Sequence, residues 1–70
     1  MTGNEFIKRT KRWAKTQDLE VRLIAAHGKG SHSTLYVGEH RTTIKDRGTE
    51  IGPGLLRAML RQLNINPRDF

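Results

Sequence analysis

Two periodicities divide this 70-residue chain. At about 100° per residue, Phe6, Thr10, Trp13, Ala14 and Gln17 fall on one side of a cylinder, and Lys8, Lys11, Arg12 and Lys15 fall on the other. That pattern predicts a helix to about Gln17 with a packing face and a cationic face. Thr2-Gly3-Asn4-Glu5 has the form of a capping box, with Thr2 as N-cap and Glu5 reaching back to it. From Leu19 to Ala26 the period drops to two: Val21, Leu23 and Ala25 on one side, Glu20 and Arg22 on the other. A second strand is expected over Ser33 to Val37, with Leu35 and Val37 inward, and a third over Arg41 to Lys45, with Ile44 inward. Gly38-Glu39-His40 serves as a hairpin connection between them. Helical spacing returns after Gly52, with Pro53 at the first helical position. Leu55, Leu56, Met59, Leu60 and Leu63 share one arc, opposite Arg57 and Arg61. Asn64 suits a left-handed cap, Ile65 can pack back on the last turn, and Pro67 stops the helix. The residues beyond it are expected to be loose.

The order helix–strand–strand–strand–helix predicts an α+β domain over residues 1–70. A three-stranded antiparallel sheet would carry both helices on one face. Alternation places Arg22, His32, Thr34, Tyr36, Arg41, Thr43 and Lys45 on the open face, and Ile24 with them. Tyr36 is then the candidate for base stacking, whereas Trp13 and Phe6 share the apolar arc and belong to the core.

Charge sharpens this picture. Thirteen Lys and Arg against seven Asp and Glu leave a net +6, which attracts polyanions, chiefly nucleic acid. Lys8, Lys11, Arg12 and Lys15 become candidates for phosphate contact, alongside Arg41. With no cysteine there is neither a disulfide framework nor a thiolate metal site. No apolar run approaches the ~20 residues of a membrane span, and no secretory leader pattern is present, so a cytoplasmic location is expected.

Gly28-Lys29-Gly30-Ser31-His32 carries the candidate chemistry. Glycines let backbone amides approach a ligand closely. Lys29 adds a point charge, Ser31 can bond a phosphate oxygen, and His32 can move protons near neutral pH. Such a segment suits holding a phosphate, with Gly30 giving backbone access, beside acid–base chemistry. It also suits a plain hairpin loop. It is not a nucleotide-binding P-loop, because the spacing differs and a strand follows. No carboxylate–histidine spacing supports a metal site, and no cofactor is expected.

Three stretches together resemble the HicA family of small bacterial toxins: Gly28-Lys29-Gly30-Ser31-His32, Arg41-Thr42-Thr43-Ile44, and Ile51-Gly52-Pro53-Gly54 running on to Ile65. The likeness covers about residues 28–65. It implies an α-β-β-β-α fold like that of double-stranded-RNA-binding domains. It also implies a toxin of a type II toxin–antitoxin system that cleaves mRNA, with His32 at the position of the catalytic histidine and a HicB-type antitoxin as inhibitory partner. The chain departs from the family pattern at Ser33, at Lys45-Asp46-Arg47, and in its longer, more basic first helix. Two other functions fit the same residues: a non-catalytic RNA-binding module, and a protein-interaction domain facing an acidic partner.

Overall fold

The computed structural model describes residues 1–25 and 32–70. Helix α1 spans Gly3–Thr16, strands β1, β2 and β3 span Val21–Ala25, Ser33–Val37 and His40–Ile44, and helix α2 spans Pro53–Gln62. A short 3-10 turn, Pro67–Asp69, follows. The strands form one antiparallel sheet in the order β1-β2-β3. Among the described residues no helix is long and apolar enough to cross a membrane.

The expected capping box is present. Thr2 accepts from the Glu5 amide at 3.3 Å, and the Glu5 carboxylate accepts from the Thr2 amide at 2.9 Å. Both helices end in the same cap. Asp18 and Asn64 have positive φ, 56° and 59°. The amides beyond them return to the last turn: Leu19 to the Ala14 carbonyl and Ile65 to the Leu60 carbonyl, each at 2.9 Å. This is the Schellman arrangement, which satisfies carbonyls the helix end leaves open. The first cap uses residues 17–19, so β1 starts at Val21 rather than Leu19, and Gln17 is exposed as the cap residue instead of packing.

The β2–β3 hairpin closes through Gly38 and Glu39, with Val37 paired to His40. Gly38 has φ 58°, the sign that the first position of a II′ turn requires. This two-residue loop starts β3 at His40, one residue earlier than the alternation suggested.

Ser33, Leu35, Val37, Thr42 and Ile44 point inward and are buried. Leu35, Val37 and Ile44 meet Phe6, Ile7 and Ala14 of α1, and Met59, Leu60 and Leu63 around α2, in one cluster. Both helices therefore cover one face of the sheet. Val21 and Leu23 are half-buried at its margin, and Ala25 is exposed where the helices no longer reach. Leu55 departs from its expected place: it is 50 % exposed, at the rim of a cleft lined by Ile44, Ile51 and Met59. The C-terminal residues are docked rather than loose. The Phe70 ring lies 5.1 Å from that of Phe6, with the Arg9 guanidinium 4.9 Å over it.

Residues 45–51 fasten the start of α1. The Asn4 amide donates to the Arg47 carbonyl at 2.8 Å, and the Ile51 amide to the Met1 carbonyl at 2.7 Å. A Cβ on Gly3 would stand 2.8 Å from both the Arg47 Cα and the Asp46 carbonyl oxygen. Only a glycine allows this approach.

Candidate nucleic-acid interface

The uncovered sheet face is built by register. Arg22 pairs with Tyr36, and Tyr36 with Arg41, so these three side chains form one row across the strands. Ile24, Thr34 and Thr43 form the next row. The Arg22 guanidinium lies 5.0 Å over the Tyr36 ring, an exposed cation–π contact of about 0.5–1 kcal/mol. Ile24 is 47 % exposed on this face, as its parity required. A cleft of about 360 Å³ runs from Thr34, Tyr36, Arg41 and Thr43 around the edge of β3 to Gln62. There the Thr42 hydroxyl donates to Gln62 Oε1 at 2.6 Å and ties α2 to the sheet. The strand positions of this face carry no carboxylate; Glu20 and Glu39 stand outside the strands, at the hairpin end.

His32 is exposed, one residue ahead of β2. The alternation that turns Ser33 inward carries His32 to the open-face side. Ser33 is 2 % exposed, and its hydroxyl accepts from Arg47 Nη2 at 3.2 Å. Arg47 thus holds the side chain of the residue next to His32 while its carbonyl holds α1. Asp46, beside it, accepts from the Gly48 amide at 2.9 Å. That bond, then one from the Thr49 side chain, holds the Asp46 carboxyl below its ordinary range. The loop that positions Arg47 is therefore closed by an ionised aspartate.

The expected site residues do not all converge. Tyr36 and Arg41 lie on the open face of the sheet, and His32 is exposed one residue ahead of β2. Lys8, Lys11, Arg12 and Lys15 are exposed on the face of α1 turned away from its buried stripe. They therefore lie behind the helix layer and do not extend the sheet surface. Lys29, Gly30 and Ser31, together with His27, lie outside the described residues. His40 is exposed at the hairpin end, whereas His32 stands at the other end of β2, so these two imidazoles do not form a pair. Phe6 is fully buried and Trp13 packs half-buried against the core. Arg57 and Arg61 line a separate cleft of about 480 Å³ with Asn64 to Pro67. Among the described residues no group of three His, Cys, Asp or Glu is placed to hold a metal ion.

Two contributors were not singled out from the sequence. Arg22 was on the open-face alternation, but its contact with Tyr36 needs the cross-strand register. Arg47 sits in a polar loop with no periodic signal at all. Comparisons of the chain with protein-family models, with curated proteins and with solved structures each found no match.

Proposed function

We propose that this chain is a HicA-type toxin with a fold like that of double-stranded-RNA-binding domains, a metal-independent endoribonuclease acting on single-stranded mRNA through His32. What supports the reading is one observation: an exposed histidine stands one residue ahead of the central strand, whose open face is cationic, carries no carboxylate at its strand positions and bears an aromatic ring. RNA supplies its own nucleophile. The 2′-oxygen attacks the adjacent phosphorus, the bond to the 5′-oxygen breaks, and a 2′,3′-cyclic phosphate and a 5′-hydroxyl result. His32 takes the 2′-hydroxyl proton or delivers one to the leaving oxygen, a role worth ~10²–10⁴-fold. Nearby cations oppose the charge that builds on the phosphorane. With one poised imidazole among the described residues, slow turnover is expected, and few cuts suffice to silence a message. A HicB-type antitoxin would inhibit by covering His32 or by filling the basic groove with acidic residues.

The test is cleavage of RNA by the wild-type protein and by His32→Ala in EDTA, with end-group analysis. Cleavage by the wild type alone, leaving cyclic or 3′-phosphate ends, is the expected result. If both proteins bind RNA equally and neither cuts it, the chain is a non-catalytic RNA-binding module. The separation of His40 from His32 favours that second reading, since the Arg22–Tyr36–Arg41 row needs no histidine to bind.

A further inference from the structure

We propose that Arg22, Tyr36 and Arg41 form a subsite for one unstacked RNA base, placed beside the scissile phosphate rather than at it. This rests on the RNA-binding part of the preceding reading and extends it to the form of the substrate. Register alone sets the three side chains in a row, with the aromatic ring at the centre and a cation on each side. The ring is half-buried, and the guanidinium over it shows that a flat group can approach from solvent.

An exposed cation–π contact is weaker than the stacking of a base on an aromatic ring. An incoming base therefore displaces the Arg22 guanidinium, which turns to the phosphate of the same nucleotide. Arg41 meets the backbone on the other side of Tyr36. Thr34 and Thr43, in the adjoining row, offer hydroxyls to the base edge. The occupant is nucleic acid rather than an acidic protein segment because the row presents a π-face between two cations. An acidic peptide would use the cations and leave the ring idle. The strand must be single, because bases in a duplex are stacked on one another and cannot lie flat on the sheet.

Distance fixes the subsite's place. Tyr36 is four residues on from His32, about 13 Å at the rise of an extended chain. A base on Tyr36 thus belongs to a nucleotide away from the bond His32 acts on.

The experiment uses His32→Ala, so that binding is read without cleavage. A single-stranded oligoribonucleotide carries one 2-aminopurine, moved one position at a time, and its fluorescence is followed on titration. Quenching confined to one position, abolished in His32→Ala/Tyr36→Ala and retained with Tyr36→Phe, is expected. The tyrosine truncation should weaken binding roughly ten- to hundredfold. Arg22→Gln should leave the quenching in place but make binding less salt-dependent. Circular dichroism establishes that each variant is folded. Quenching that survives Tyr36→Ala, or duplex RNA binding as tightly as single strands, overturns the subsite while leaving RNA binding intact. A His32→Ala protein that binds no RNA overturns both the subsite and the functional reading beneath it.

Discussion

Thr10 is fully buried in α1, and its hydroxyl has no hydrogen-bond partner among the described residues. Valine has nearly the same shape without the polar atom, so Thr10→Val removes a desolvation cost of about 1–3 kcal/mol. Thermal unfolding should then move upward, by about 4–8 °C for each kcal/mol in a domain of this size. An unchanged or lowered midpoint would mean that the hydroxyl is satisfied in solution. The position of Thr10 on the packing face was legible, four residues from Phe6 and from Ala14. The state of its hydroxyl was not, because a helical threonine can also bond the preceding turn. Ile24 is the converse case: parity alone put an apolar side chain on the open face. Leu55 shows where an arc misleads, since helical phase fixes direction but not how far the sheet beneath extends.

Elements were legible where their ends carry local chemistry. Thr2 and Glu5 announced the start of α1, and Pro53 and Asn64 bounded α2. The Asp18 cap was not legible, because Leu19 reads as the first residue of the alternating strand that follows it. The capping box also has an acid signature. Hydrogen bonding by the Thr2 amide, then by its side chain, holds the Glu5 carboxyl below its ordinary value. A carboxyl lowered on folding stabilises the fold above its unfolded pKa, about 4.3. That contribution disappears as the pH falls through the lower folded value. Asp46 acts in the same direction through Gly48 and Thr49. Denaturant titrations of Glu5→Gln should thus show less loss of stability below about pH 4.5 than the wild type. Equal slopes for the two proteins would remove the box as a source of acid sensitivity.

At the scale of the molecule, the sheet separates two cationic surfaces that composition merges into one net charge. Arg22 and Arg41 border the uncovered face, and the α1 lysines lie behind the helices. Ionic strength can tell them apart. For an oligonucleotide short enough to occupy the sheet alone, Arg41→Gln should reduce the slope of log K against log salt by roughly 0.7, one phosphate contact on a single strand. Joint replacement of Lys8, Lys11, Arg12 and Lys15 by glutamine should change that slope less than Arg41→Gln does. The reverse ranking would move the interface to α1. The layering follows from alternation and amphipathic arcs and was readable in advance. The opposition of the two charged surfaces emerges only once both helices are known to pack on the same side.

Arg47 links parts of the chain that are distant in sequence. Its carbonyl holds the first turn of α1, and its guanidinium holds the serine next to His32. The residue therefore works as a tie-rod. The bond from Arg47 to the Ser33 hydroxyl adds to the pairing of Ser33 with Ala25 and Ile44 on its two sides. The first turn of α1 and the serine beside the proposed catalytic residue thus share one anchoring residue.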